Sequence, residues 1–376
     1  MSNPRLNRRH FLAGTTAALA APMILKAHDA LASSGSVRVF AWQDYIQPNI
    51  AEKFTADTGI VLELTTFGSN GEAESTVRSS GGTGFDVIFP TITNVPNYID
   101  DSGEHLLMTL PDTVAVDRVI PSFLRDSAAL GGVFNGEQKT IPFSWGTEAI
   151  TRDTSAMDVS DADLSFSDLF AEGTEGRTAG RLNSMIVGIG LYLDHTGAVP
   201  SNRMLDAYRS EEDARRIFTA VTEWILERRA SLGAFWTNAT EATAAFRDAG
   251  CIIGQTWDTT GLLLNRETPN LVYRAPREGA MTWADSFGML RGAENIEQGV
   301  AFMNFMLQAD VGGMYSNNTG YNSAVTGAAD FASEEFKRQF NEVYTTEVLN
   351  NMWWWQAETP FWGPIRNEFA EIIANA

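Results

Sequence analysis

After its first 32 residues the chain alternates between short apolar runs and helix-like segments, and this alternation limits the possible folds more than any other feature. The first such segment has Pro48 where a helix can begin, Ile50 and Phe54 four apart on one face, and Gly59 where it can end. The pattern is typical of an α/β sheet with parallel neighbouring strands. The predicted strands are 37–42, 60–66 and 85–89, and the predicted helices are 48–59 and 72–79.

Further along the chain, the pattern predicts a second region that is entered and left by buried strands. Residues 140–145 and 149–151 are predicted to cross into this region, and 282–290 is predicted to return from it. The other predicted strands are one near Arg181, 251–257 and 271–275. The other predicted helices are one that begins at Met185, 211–229, 296–307, one around Trp353 and 365–373.

The N-terminus has the pattern of an export signal. Arg8 and Arg9 precede an apolar run over 11–25, and a small-residue cleavage site ends at Ala32. We therefore predict that 1–32 is a twin-arginine signal peptide cleaved near Ala32, which delivers the protein to the periplasm. The 376 residues are enough for two domains with separate cores.

The charge and the cysteine content exclude several classes of function. The net charge is −20, and removing the four basic residues and one acidic residue of 1–32 makes it −23, which disfavours a nucleic-acid partner. Cys251 is the only cysteine, so no disulfide within the chain and no lipid anchor after the signal is expected. We expect a free monomer.

The sequence lacks the common motifs for catalysis and for metal binding. Outside the signal only His105 and His195 remain, far apart and without cysteine companions, and there is no phosphate-binding glycine loop with lysine and no GxSxG motif. We predict no metal, no cofactor and no catalytic residues.

Tryptophans with carboxylates close in sequence recur at the ends of predicted strands, where α/β folds form ligand clefts. In the strand 282–290, Trp283 and Asp285 share one face, because alternate side chains of a strand point the same way. An aromatic ring beside an anion suits an alkylammonium group, although a core tryptophan beside a capping aspartate is the alternative. The other tryptophan–carboxylate pairs are Trp42 with Asp44, Trp145 with Glu148 and Trp257 with Asp258.

Five stretches resemble, in order and at comparable spacing, the spermidine/putrescine-binding periplasmic proteins, which serve ABC importers. The stretch at 85–91 is similar to the family's YDLVVPS strand, and that at 141–147 to its IPYxWGT crossing. The five stretches are VFAWQDY at 39–45, FDVIFPT at 85–91, IPFSWGT at 141–147, WADS at 283–286 and TGY at 319–321.

The resemblance implies a two-lobed periplasmic binding protein fold of type II, in which each lobe is a mixed sheet flanked by helices. The first lobe would comprise 33–143 plus 286–322 and the second 144–285, with the C-terminal helices of 323–376 left unassigned. A small ligand, expected to bear an amine, would be held in the cleft between lobes and passed to an inner-membrane permease.

The resemblance also implies roles for individual residues. Asp44 and Asp285 would meet amine groups, and Trp257 and Trp283 would enclose the methylenes of the ligand. The full set of implied contacts is Trp42, Asp44, Tyr45, Thr91, Trp257, Asp258, Trp283, Asp285, Tyr321 and Gln356. Asp44 and Asp258 equally suit the capping of the helices that follow them.

One stretch departs from the family. Binders of the longer polyamine carry an acidic TDDxRE stretch, and the matching residues here, 182–187, read LNSMIV. Each charge-assisted hydrogen bond lost is worth about 1.5–3 kcal/mol, unless Glu148 or Asp258 compensates. The alternatives to a polyamine-type amine are therefore an opine, an amino-acid derivative or a quaternary ammonium compound, or else a secreted enzyme on the same fold.

Overall fold

A computed structural model describes residues 35–376, so the predicted signal peptide lies outside the described residues. The strands are β1 (Ser36–Trp42), β2 (Val61–Phe67), β3 (Val87–Ile88), β4 (Val133–Phe134), β5 (Glu137–Gln138), β6 (Thr140–Asp153), β7 (Thr178–Gly180), β8 (Leu232–Phe235), β9 (Ile253–Trp257), β10 (Leu271–Arg274), β11 (Met281–Met289), β12 (Asn322–Ser323) and β13 (Trp353–Trp354). The α-helices are α1 (Pro48–Thr58), α2 (Asn70–Ser79), α3 (Pro121–Leu130), α4 (Leu182–His195), α5 (Glu211–Leu226), α6 (Ala239–Arg247), α7 (Asp258–Glu267), α8 (Ile296–Met306), α9 (Ala309–Thr319), α10 (Glu334–Val343), α11 (Thr346–Asn350) and α12 (Trp362–Asn375).

The alternation at the start of the chain forms the predicted parallel sheet. Strand β1 pairs in parallel with β2 and with β3. Helix α1 begins at Pro48 and ends at Gly59, whose φ of 73° lies in the left-handed region that glycine tolerates. The backbone N–H of Gly59 donates to the carbonyl of Thr55, which satisfies one of the last free carbonyls of the helix.

Two long central strands join this parallel sheet to a second set of strands. Strand β6 is a single buried strand of 14 residues, where the sequence predicted two shorter ones, and it runs antiparallel to β11. One end of β11 pairs with β3, whereas one end of β6 pairs with β9 and β10. Both strands therefore extend from one set of strands to the other, while the residue boundaries of the two lobes stay a prediction.

Two large apolar clusters lie on the two sets of strands. One contains residues of β1, α1 and α8, and the other contains residues of α4, α5 and α12. The C-terminal helix α12 packs against α5 and α4, so it belongs with the second cluster. Among residues 35–376, no helix is both long enough and apolar enough to cross a membrane.

The prediction of a helix around Trp353 was wrong, because Trp353 and Trp354 form the short strand β13. Strand β13 pairs in parallel with the start of β11, with Met281 opposite Trp353. The backbone N–H of Trp353 donates to the carbonyl of Ala280 at 2.9 Å. Consecutive aromatic residues favour a strand, and here the end of β11 supplies the pairing partner.

Candidate functional site

A cleft of ≈ 480 Å³ lies beside the central strands β6 and β11. Its walls come from the ends of β1 and β9, the middle of β11, the start of α4 and the segment after β13. Strand ends with the following loops are where α/β folds place ligands. Nine of the ten residues predicted to contact the ligand line this cleft: Trp42, Asp44, Tyr45, Thr91, Trp257, Trp283, Asp285, Tyr321 and Gln356.

Asp285 is the most distinctive carboxylate of the cleft. It lies inside β11, which excludes the alternative that it caps a helix, and only 5% of the residue is exposed. The Tyr45 hydroxyl donates a hydrogen bond to Oδ2 of Asp285, whereas Oδ1 has no partner among residues 35–376. Burial raises the pKa of Asp285 to about 6, although the side chains of Thr91 and Tyr45 oppose the rise.

Thr91 lies opposite Asp285, in an isolated antiparallel bridge between the end of β3 and β11. Its hydroxyl oxygen accepts a hydrogen bond of 2.9 Å from the side-chain amide of Asn70, and its backbone N–H donates to the same side chain at 3.2 Å. Asn70 lines the cleft at the start of α2 and was not predicted from the sequence. This pair fixes the backbone beside Asp285.

Aromatic rings surround the space next to Asp285. Trp283 and Tyr321 meet edge to face with their centroids 5.3 Å apart, and Tyr321 lies 6.0 Å from Tyr45. Gly146 faces Trp283 across the strand pair, and a Cβ atom at Gly146 would lie 2.4 Å from the indole ring. A glycine is therefore required at this position for Trp283 to occupy its place in the cleft.

The end of β1 forms the neighbouring wall. Trp42 packs against Phe67 with ring centroids 4.7 Å apart, and its buried indole N–H has no hydrogen-bond partner within the described part of the chain. Asp44 is exposed and does not cap α1, because Gln47 occupies the N-cap position and itself donates to the carbonyl of Asp44 at 3.0 Å. The carboxylate of Asp44 thus remains available to the cleft.

The opposite wall centres on Glu148, a residue of β6 with 1% of its surface exposed. Ser184 donates to Glu148 Oε2 at 2.8 Å, Gln255 donates to Oε1 at 3.0 Å, and Arg181 forms an ion pair with Oε2 at 3.7 Å. Burial raises the pKa of Glu148, while the charge of Arg181 lowers it in part. The guanidinium of Arg181 lies over the Trp257 ring, 5.5 Å from its centroid.

Asp258, the tenth predicted residue, does not line the cleft. It is fully buried at the start of α7, where its Oδ1 accepts the backbone N–H of Thr259 at 2.8 Å. Its Oδ2 accepts from the Tyr344 hydroxyl at 2.6 Å, the Thr147 backbone N–H at 3.2 Å and the Asn322 amide at 3.3 Å. Trp257 occupies the N-cap position of α7, so Asp258 is the first residue of the helix and not its cap, and its carboxylate binds donors of the surrounding fold. Of the two carboxylates considered as compensation for the missing acidic stretch, the cleft contains Glu148.

Sequence reasoning missed three charged residues of the cleft: Arg181, Glu358 and Arg366. Glu358 and Arg366 form an ion pair at 3.1 Å beside Gln356, whose amide donates to the carbonyl of Trp354 at 2.7 Å. Arg181 directly precedes the stretch 182–187 that departs from the family pattern, so its neighbourhood was visible in the sequence. The other two follow no motif and enter the cleft only through the packing of the C-terminal segment.

Comparisons with known proteins agree with this geometry. The family model of the bacterial extracellular solute-binding proteins matches residues 49–341. The chain is 24% identical over 311 residues to the putrescine/agmatine-binding protein of Pseudomonas aeruginosa, which covers 78% of this chain and 80% of that one. It is 22% identical over 318 residues to the spermidine/putrescine-binding periplasmic protein of Escherichia coli, which covers 84% and 85%.

The spermidine/putrescine ABC transporter substrate-binding protein of Streptococcus pneumoniae has the same fold, with a TM-score of 0.74 at 20% identity over 91% of this chain and 99% of that one. The predicted type II periplasmic binding protein fold is therefore confirmed. Since the family model spans most of its length, the chain belongs to the bacterial extracellular solute-binding proteins.

Proposed function

We propose that this protein is the substrate-binding component of an ABC importer and that it captures a small cationic amine, of the polyamine type, in the periplasm. The observation that carries the proposal is the unpartnered Oδ1 of Asp285, buried in an aromatic-walled cleft. The names of the Pseudomonas and Escherichia relatives, which refer to putrescine, agmatine and spermidine, support an amine as the ligand.

The side chains around Asp285 suit an ammonium group in several ways. With a pKa of about 6, Asp285 is ionised at neutral pH. Burial and the charge of Asp285 raise the pKa of Tyr45, which therefore stays a protonated donor to the carboxylate. The faces of Trp283 and Tyr321 would attract the cation and cover its methylenes, which is worth about 0.5–2 kcal/mol for each well-placed ring.

The transport cycle follows from the two-lobed fold. The proposed lobes are 33–143 plus 286–322 and 144–285, with α12 on the second, and the cleft would close around the ligand and present a closed surface to the inner-membrane permease. Small-angle scattering should show a smaller radius of gyration when ligand is added. An unchanged radius with a ligand shown to bind by calorimetry would contradict closure.

We further propose that a twin-arginine signal exports the protein and that it acts as a monomer with a binding role and no catalytic one. The family membership supports binding, because solute-binding proteins capture their ligands unchanged. Incubation of a bound amine with the protein, followed by mass spectrometry, should return the amine intact.

The proposal is tested by a thermal-shift screen of matched pairs, each an amine and the alcohol of the same carbon skeleton. An amine at about 100 times its dissociation constant should stabilise the protein by roughly 2.7 kcal/mol, whereas its alcohol should not. Equal stabilisation by both members of the pairs, or a response only to solutes without an ammonium group, would overturn the cationic-amine assignment.

A further inference from the structure

The charges of the cleft are divided unequally between its two ends. Four acidic and two basic residues line it. Asp44 and Asp285 form no ion pair with a basic residue among residues 35–376. Burial raises the pKa of Tyr321, and the charges of Asp258, Asp285 and Asp44 raise it further. At the other end, each carboxylate is matched by an arginine: Glu148 by Arg181 at 3.7 Å and Glu358 by Arg366 at 3.1 Å. One end is anionic and the other is charge-balanced.

Arg181 gives the balanced end a capacity to donate hydrogen bonds. Its guanidinium carries five N–H groups, of which none makes a hydrogen bond of ordinary length to residues 35–376. Glu148, its ion-pair partner, already accepts from Ser184 and Gln255, and 38% of the Arg181 side chain is exposed. The guanidinium is therefore fixed over Trp257 with donors still free.

The distance between the anionic end and the charge-balanced end of the cleft matches the length of a small extended solute. Glu148 pairs with Met281 across the central strands, and Asp285 lies four residues further along β11. At about 3.3 Å per residue the two positions are roughly 13 Å apart along the strand, before the side chains extend towards each other. One molecule in the ≈ 480 Å³ cleft therefore faces both ends.

We infer that the ligand carries one ammonium group, held by Asp285, and a carboxylate at its far end, held by Arg181. The ligand class is thus an amino acid with its two charged groups at opposite ends, so that a carboxylate stands where a ligand of the polyamine type has its second ammonium group. This inference rests on the proposed function, since it assumes that Asp285 meets an ammonium group. A second ammonium at the far end would meet the guanidinium of Arg181, a like charge, whereas Glu148 is buried and both of its oxygens already accept hydrogen bonds.

The test uses calorimetric titration of the full mature protein with four amines of one chain length, repeated at several chain lengths. The far end is a carboxylate, an amide, a methyl group or a second ammonium. We expect the carboxylate to bind at least tenfold more tightly than the diamine. A diamine that binds as tightly as the carboxylate or more tightly would overturn the inference, as would an amide that equals the carboxylate.

Two arginine variants assign the far end. Arg181→Gln should weaken the carboxylate-ended amine tenfold to a hundredfold and leave the methyl-ended amine within threefold. Arg215→Gln is the control, because Arg215 is partly exposed and pairs with Glu368 at 3.0 Å but does not line the cleft, and it should leave both within threefold. An unchanged carboxylate preference in Arg181→Gln, or an equal loss of it in Arg215→Gln, would overturn the role of Arg181.

Asp285→Asn separates failure of this inference from failure of the proposed function. If the amine assignment holds, this variant weakens every member of the series, including the diamine. A series in which the diamine binds best and Asp285→Asn weakens all four amines overturns the inference and leaves the proposed function intact. If no amine of any length binds, or if Asp285→Asn weakens none of them, both fail.

Discussion

The two buried aspartates Asp285 and Asp258 have the same pKa, but their carboxylates have different hydrogen-bond partners. Burial raises the pKa of each to about 6, and each accepts a hydrogen bond from a buried tyrosine, Tyr45 or Tyr344. Asp258 accepts from three further donors and lies away from the cleft. Asp285 keeps one oxygen without a partner among residues 35–376, and this aspartate lines the cleft.

The comparison shows that burial and a raised pKa do not by themselves mark a binding residue. A carboxylate whose acceptors are all filled stabilises the fold around it, because its donors have no other partner. A carboxylate with an unfilled acceptor beside an open volume is destabilising until a donor arrives. The acceptors of Asp258 are therefore filled without a ligand, whereas Asp285 keeps one acceptor for a ligand in the cleft.

The largest expected effect is that of Asp285→Asn on ligand affinity. Loss of the charge leaves the buried ammonium of the ligand without a partner, which costs about 2–5 kcal/mol, roughly thirtyfold to several thousandfold in affinity. Calorimetric titration with the cognate amine measures this loss. Binding within about threefold of the parent, or about 0.65 kcal/mol, would remove the ammonium partner from the site.

The same variant should be more stable than the parent when no ligand is present. The pKa of Asp285 rises from 3.8 in the unfolded chain to about 6 in the fold, so stability is greatest below the unfolded value and is lost as the pH rises to about 6. Above that pH the loss amounts to at most about 3 kcal/mol, and an asparagine avoids it. A lower melting temperature of ligand-free Asp285→Asn at neutral pH would contradict this account.

Asp258→Asn should gain less stability than Asp285→Asn. The pKa of Asp258 is also raised from 3.8 to about 6, so an asparagine avoids the same loss of at most about 3 kcal/mol, but it has one acceptor oxygen for four donors, and each buried donor left without a partner costs about 1–3 kcal/mol. We expect a lower melting temperature than that of Asp285→Asn and an affinity for the amine within threefold of the parent. A selective loss of affinity, with an unchanged melting temperature, would place Asp258 in the binding site after all.

The sequence could predict the strands that carry these two aspartates but not their difference. Trp257-Asp258 and Trp283-Asp285 look alike in the sequence, each a tryptophan at a strand with a carboxylate beside it. The difference depends on Tyr344 and Asn322, which lie 86 and 64 residues away from Asp258 in the sequence. Contacts of that kind leave no local pattern, whereas the strand and helix periods that predicted the parallel sheet are local.

The same limit explains the charged residues that were missed. Arg181 was missed because the comparison with the family pattern concerned the carboxylates missing from 182–187. The cation lies directly before that stretch and was not considered. Glu358 and Arg366 enter the cleft because α12 packs on α4 and α5 and β13 pairs with β11. Trp353 was misassigned for a related reason, since the short strand β13 forms by pairing with β11, which is distant in the sequence.

A smaller effect is expected at the aromatic wall. Trp283→Leu keeps apolar contact with the ligand but removes the ring quadrupole, so affinity should fall by about 1–2 kcal/mol. Trp353 is the matched control, since it is buried outside the cleft and its indole N–H donates to the carbonyl of Arg203 at 2.6 Å. Trp353→Phe should lower the melting temperature and leave the affinity unchanged. Equal losses of affinity in both variants would mean that Trp283 acts through stability alone.

The smallest effect is the pH dependence of binding. It shows which of the two aspartates binds the ligand. An ammonium ligand binds the ionised form of Asp285, whose pKa in the ligand-free protein is about 6, so affinity should be constant above neutrality and fall below it. From about pH 7.5 to about pH 5.5 the expected loss of affinity is roughly fourfold, or about 0.8 kcal/mol.

The buried Glu148 also has a raised pKa, so the pH dependence of the parent protein alone does not identify the titrating group. The residual binding of Asp285→Asn does, since it should be independent of pH over this range, whereas Asp258→Asn should keep the fourfold loss. A pH dependence that persists in both Asp285→Asn and Asp258→Asn would assign the titration to Glu148 and with it the ammonium to the opposite end of the cleft.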